Sequence, residues 1–130
     1  MDKTYKPQEH EKEIYSLWET GKYFSPIIIK PESKPFSIIL PPPNANAPLH
    51  FGHAMYVVED ILIRYHRMKG YATLWLPGAD HAGFETQVVF EKHLERQGKS
   101  RFDYDPETLY KMVWDFVQNN RGVMENQLRQ

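Results

Sequence analysis

His50 and His53 stand three residues apart with Phe51-Gly52 between them. At helical spacing two imidazoles share a face, where neutral rings donate hydrogen bonds and protonated rings add positive charge. Gly52 has no side chain, so a flat base or a phosphate can approach the backbone closely. At the head of a helix, free backbone N–H groups and the positive dipole end attract phosphate as well. Together His50-Phe51-Gly52-His53 suit the binding of a nucleoside triphosphate and the stabilisation of charge as pyrophosphate leaves. A second group, Asp80-His81-Ala82-Gly83, places small residues around one carboxylate and one imidazole. Asp80 is suited to holding a substrate ammonium group.

Each feature also has a plainer reading. A histidine pair at this spacing serves structural or solvated roles elsewhere, and an aspartate placed like Asp80 serves as a helix N-cap. His50, His53, Asp80 and His81 offer nitrogen and oxygen ligands of the kind zinc takes. Zinc leaves Gly52 and the neighbouring triple proline unexplained, whereas a nucleotide site uses both, so no metal ligand is assigned. His10, His66 and His93 lie in charged helical stretches and read as surface residues.

The elements that must position these groups follow from periodicity. From Pro7 to Thr20, Ile14, Leu17 and Trp18 recur at helical spacing, with Gly21 as a stop. The connector from Phe24 to Pro35 contains three prolines. Phe36 to Leu40 reads as a buried strand that ends at Pro41-Pro42-Pro43, where missing N–H groups force a stiff loop running to Pro48. From about His50 to Lys69 a one-face helical pattern runs through Ala54, Val57, Val58, Ile61, Leu62, Tyr65 and Met68, and Gly70 stops it. Tyr71 to Leu76 is the next strand, ending at Pro77-Gly78. Strand, helix and strand with a crossover of this length form a parallel βαβ unit. Ligands bind where neighbouring parallel strands release their C-terminal loops, here Pro41 to Phe51 and Pro77 to Phe84. A helix from Glu85 to Gln97, stopped by Gly98, follows. Another starts at Asp105-Pro106, with Leu109, Met112, Val113, Phe116 and Val117 on one face, and Val123 to Gln130 reads as a helix cut in progress. The chain is accordingly expected to be a truncated piece.

A net charge of −1 argues against a module held mainly to nucleic acid by phosphate neutralisation. With no cysteine, neither a disulfide framework nor a thiolate zinc site can form. The apolar runs Ile27-Ile28-Ile29 and Ile38-Ile39-Leu40 are far shorter than the roughly 20 residues of a membrane helix. The segment from Met1 to Pro7 lacks the apolar stretch of a secretory signal. A cytoplasmic protein with no membrane attachment is expected.

At these residues the chain resembles class I aminoacyl-tRNA synthetases, whose first signature, His-Ile-Gly-His, heads a helix after the first Rossmann strand. Here it stands as His50-Phe51-Gly52-His53. Pro41-Pro42-Pro43-Asn44, Ile63 to Gly70, and Leu76-Pro77-Gly78-Ala79-Asp80-His81-Ala82-Gly83 look like the valyl-tRNA synthetases within the class. The likeness extends to Gln97-Gly98-Lys99 and Val113-Trp114. It implies an α/β fold: the first half of a Rossmann-like, parallel-sheet nucleotide-binding domain with flanking helices. Residues 1–35 would be an N-terminal helix and connector, and residues 36–130 the N-terminal half of the catalytic domain, ending before the editing insertion. The implied activity is ATP-dependent activation of valine to valyl-adenylate and transfer to tRNA(Val), by a monomer, with magnesium (Mg2+) accompanying ATP. Carried over, His50 and His53 are catalytic and contact the triphosphate, with Phe51 and Gly52 completing the ATP site. Pro42, Pro43 and Asn44 border the amino-acid pocket, and Asp80 binds the α-ammonium.

The family's Val-Thr-Gly-Ser is replaced by Ala45-Asn46-Ala47-Pro48, and Ala79 stands where threonine is usual. Ala45-Asn46 looks like the isoleucyl enzyme, whereas the Asp80 loop is of valyl type, so valine leads and isoleucine is the alternative. No Lys-Met-Ser-Lys-Ser signature, editing domain or anticodon-binding domain lies within the chain. A non-catalytic binding protein built from a synthetase half is the alternative of a different kind.

Overall fold

The computed structural model describes residues 4–26 and 32–129. The run Ile27-Ile28-Ile29, the connector's Pro31, and Met1, Asp2, Lys3 and Gln130 lie outside the described residues. In chain order the elements are α1 (Pro7–Thr20), β1 (Pro35–Ile39), α2 (Met55–Met68), β2 (Ala72–Leu76), α3 (Gly83–Arg96) and α4 (Pro106–Leu128). Single 3-10 turns stand at Phe51–His53 and Arg101–Asp103. β1 and β2 pair in parallel, Phe36 opposite Thr73 and Ile38 opposite Trp75, with α2 as the crossover. This is the expected βαβ unit, with flanking helices. The chain divides into two compact units, one holding β1, α2 and β2 with α1, the other holding Pro41–His53 and Gly78–Leu128.

In the first unit the pleat sorts each strand's side chains. Phe36, Ile38, Thr73 and Trp75 share the face that α2 covers. Phe36 stacks on His66 with ring centroids 3.6 Å apart, and the Trp75 indole N–H donates to Glu59 at 3.0 Å. Thr73 is fully buried. Ser37, Ile39, Leu74 and Leu76 take the opposite face, and Ile39 is 72% exposed. The expectation of a fully buried strand is thus corrected, because a single crossover helix covers only one face of a two-stranded parallel sheet.

α2 carries a second correction. Its periodicity is as expected, but Val57, Val58, Ile61, Leu62, Tyr65 and Met68 are exposed, and the buried residues are Tyr56 and Ile63. The helix is apolar on two sides, and periodicity alone does not say which side is covered. His66, expected at the surface, lies half-buried on the covered side, its Nδ1–H donating to the Leu62 carbonyl at 2.8 Å. Cation–π contacts reach α2 from α1 and from the segment after it, Arg64 over Trp18 at 4.8 Å and Arg67 over Phe24 at 5.9 Å. No residue of α1 is buried. The helix ends at Thr20 as expected, with Gly21 at its C-cap in the right-handed region and Lys22 following in the left-handed conformation at φ 55°.

Gly70 ends α2 at φ +83°, and a Cβ there would meet nothing within 4 Å. Gly70→Ala therefore isolates backbone strain from packing. It is expected to destabilise the chain by about 1–2 kcal/mol in urea unfolding. A change below about 0.3 kcal/mol would mean that the turn relaxes out of the left-handed region.

In the second unit, α3 and α4 pack through Phe90 on Phe116, ring centroids 5.5 Å apart. Leu94 and Val117 are buried, while Leu109, Met112, Val113 and Phe116 are half-buried, as the α4 pattern anticipates. Val117 and Met124 form a cluster with Ala45, and Leu49 packs against it. Asp105 caps α4, its carboxylate accepting from the Thr108 N–H at 3.0 Å. Hydrogen bonding by Thr108, side chain first and backbone second, holds the Asp105 carboxyl below its ordinary value. The cap's contribution is therefore present above the ordinary carboxylate range and lost as pH falls through the lowered value. Among the described residues no helix is long and apolar enough to cross a membrane.

Candidate active site

All the site residues expected from sequence fall in the second unit. Pro43 accepts a hydrogen bond at its carbonyl from the Asp80 N–H at 2.9 Å, and the Ala45 N–H donates to the Asp80 carbonyl at 2.8 Å. Asn44 and Asp80 thereby form an isolated parallel bridge. The two loops expected side by side are joined by main-chain bonds. A proline is acceptable at position 43 because only its carbonyl is used. Pro43 and Ala45 are buried, Asn44 is half-buried, and Pro42 and Asp80 are exposed. Pairing across a parallel bridge puts the Asn44 and Asp80 side chains on the same side.

Asp80 is not the N-cap of α3. That position belongs to Ala82, which is left-handed at φ 49°. A residue bearing a Cβ loses about 1–2 kcal/mol in that conformation. Three bonds hold it there: Asp80 Oδ1 accepts from the Ala82 N–H at 3.0 Å, the Thr86 N–H donates to the Ala82 carbonyl at 3.2 Å, and the Thr86 hydroxyl donates to the His81 carbonyl at 2.6 Å. The Asp80 carboxylate thus orders its own loop through Oδ1.

The histidine pair departs from expectation in its backbone. α2 begins only at Met55, and Phe51–His53 is a 3-10 turn closed by the His53 N–H on the His50 carbonyl at 2.8 Å. His50 Nδ1 accepts from the Gly52 N–H at 3.0 Å, and His53 Nδ1 accepts from the His50 N–H at 3.1 Å. Side chains that capture early N–H groups tighten a first turn in this way. The amides of His50, Gly52 and His53 are therefore occupied, and the expectation of free backbone donors there is corrected. With Nδ1 accepting from Gly52, the His50 ring carries its proton on Nε2; His53 Nδ1 also lies 3.2 Å from the His50 carbonyl, to which it donates in its other tautomer, and the two rings stand with centroids 4.4 Å apart. Gly52 has a local reason to be glycine: a Cβ would sit 2.7 Å from His50 Cε1 and displace the ring. Phe51 is 93% exposed.

Two contacts at the site are not foreseen from the sequence. The Asn44 amide Nδ2 donates to Glu85 Oε2 at 2.6 Å, across 41 residues of sequence. Trp114 stacks on His81 with centroids 5.3 Å apart. No sequence signal announces either, since an acid in a helix's first turn and an aromatic on a helix face both have ordinary uses. Among the described residues no three His, Cys, Asp or Glu side chains are grouped to hold a metal ion.

Residues 13–130 match the family described as tRNA synthetases class I (I, L, M and V). The valine–tRNA ligase of Treponema denticola is 45% identical over 99% of this chain and 14% of the relative's length. That of Legionella pneumophila (strain Paris) is 46% identical over 99% of the chain and 14% of its own length. The Clostridium tetani valine–tRNA ligase is 44% identical over 98% of the chain, again 14% of its length. The chain thus spans about a seventh of each of these relatives. A family match over nearly the whole chain, on a parallel βαβ unit, identifies the chain as a member of the class I tRNA synthetases.

Proposed function

We propose that the chain serves the ATP-dependent activation of valine to valyl-adenylate and the transfer of the valyl group to tRNA(Val), as part of a cytoplasmic, monomeric ligase. The observation that carries this reading is the likeness to valine–tRNA ligases along almost the entire chain. In the first step a valine carboxylate oxygen bonds to the α-phosphorus of ATP, and the bond from that phosphorus to pyrophosphate breaks. Asp80 holds the valine ammonium through the oxygen not committed to Ala82, and Asn44, bridged beside it, supplies a second polar contact. Pro42 and Pro43 border the pocket as rigid walls. His50 directs its Nε2–H at the triphosphate with the His53 ring beside it, and Phe51 and Gly52 complete the ATP site at the same turn. The anionic triphosphate fits these donors, and magnesium would accompany ATP and offset part of its charge. Positioning and charge stabilisation account for the catalysis, since no covalent step on the protein is required.

The isoleucyl-like pair Ala45-Asn46 does not weigh against valine. Ala45 is buried against Val117 and Met124, so its side chain meets α4. The test is ATP–pyrophosphate exchange by the full-length protein with valine, isoleucine and leucine. Valine is expected to lead isoleucine by roughly 10- to 200-fold in kcat/KM, the range one methylene commands in an apolar pocket. Preference for isoleucine, or no amino-acid-dependent exchange, would overturn the reading.

A further inference from the structure

An asparagine beside an ammonium site is useful only in one of its two amide orientations. With Oδ1 turned inward it accepts a hydrogen bond from the ammonium, and with Nδ2 turned inward it repels it. The bond from Asn44 Nδ2 to Glu85 Oε2, 2.6 Å long, decides between them, because a carboxylate only accepts. Glu85 sits in the first turn of α3, three residues after the strained Ala82, on the segment that Asp80 and Thr86 hold in place. Asn44 is in turn fixed to Asp80 by the main-chain bridge. The amide is thus held at its backbone by one loop and at its tip by a helix start.

We propose that Glu85 is a positioning residue for the amino-acid ammonium: it locks the Asn44 amide so that Oδ1, beside the Asp80 carboxylate, accepts from the substrate. This rests on the ligase reading above and assigns Glu85 no contact with substrate. The bond is charge-assisted, and short bonds to an ionised acceptor are stronger than neutral ones. Its effect should fall on binding of the amino acid and spare the triphosphate side.

The experiment is ATP–pyrophosphate exchange by the full-length protein, with KM for valine and for ATP measured separately. Glu85→Ala is expected to raise the KM for valine about tenfold, with kcat and the KM for ATP within about twofold of the parent, the size of one lost charge-assisted bond. Glu85→Gln, whose amide oxygen still accepts from Asn44, should recover most of that loss. Glu85→Lys, which presents only donors, should not. In an Asn44→Ala background, Glu85→Ala should add less than about a twofold change, since a residue acting through Asn44 has nothing left to orient. A full additional tenfold in that background would assign Glu85 a direct charge effect and overturn the proposal. So would an unchanged KM for valine in Glu85→Ala. Thermal melts of each variant separate a folding defect from a positioning one, and Glu85→Gln carries the test should Glu85→Ala unfold. Absence of amino-acid-dependent exchange in the parent would instead sink the ligase reading itself.

Discussion

Asp80→Asn is expected to raise the KM for valine in pyrophosphate exchange about 100-fold, equivalent to roughly 3 kcal/mol, the scale of a hydrogen-bonded charge pair that loses one partner. The substitution is chosen for what it keeps. Asparagine retains an Oδ1 that can accept from the Ala82 N–H, a bond of 3.0 Å in the parent, so the left-handed turn ahead of α3 survives. The main-chain bonds from Asp80 to Pro43 and Ala45 do not involve the side chain. What disappears is the negative charge proposed to face the ammonium. The melting temperature and the KM for ATP should therefore stay near parental values. A loss of stability as large as that of Asp80→Ala would show that the carboxylate serves the loop alone, and a KM for valine within about threefold of the parent would show that the ammonium binds elsewhere.

His53→Asn should fail in the complementary way. Its Oδ1 can replace Nδ1 as the acceptor for the His50 N–H, a contact of 3.1 Å, so the 3-10 turn keeps its internal bond. The imidazole ring and its Nε2 are lost. Removing one preorganised donor from a site of developing charge lowers kcat by about 100- to 1,000-fold, and that is the expected loss in exchange. The KM for valine should hardly move, because the proposed ammonium site lies on the Asp80 loop. The pair of variants thus divides the site into a part that binds the amino acid and a part that stabilises the departing pyrophosphate. If His53→Asn raised the KM for valine while sparing kcat, that division would be wrong.

Much of this was readable from residue types in order. The prolines after β1, the glycine stop at Gly70 and the cap at Asp105 each act on the backbone within a few residues, and such local rules leave a clear trace in sequence. The parallel pairing of Phe36 with Thr73 follows from the helix-length crossover between the strands. Three things were hidden for physical reasons. The His50–His53 turn depends on which ring nitrogen faces which amide, and spacing carries no information about tautomers. The Asn44–Glu85 bond joins residues far apart in the chain, each with an ordinary local role. The apolar stripe of α2 marks a helix surface without saying what covers it, and Ile61 and Met68 on that stripe face solvent.

The bridge between Asn44 and Asp80 bears on which changes the two loops tolerate. Its frame consists of one carbonyl at Pro43, one amide at Ala45, and the two peptide groups of Asp80. Any L-residue except proline supplies the amide at position 45, and any residue at all supplies the carbonyl at position 43. Divergence along Ala45-Asn46-Ala47-Pro48 can therefore accumulate while the two loops stay in register. Size alone restricts position 45, where the side chain is sealed against Val117 and Met124. Substrate preference in such a pocket can drift through side chains while the main-chain geometry that serves catalysis is inherited unchanged.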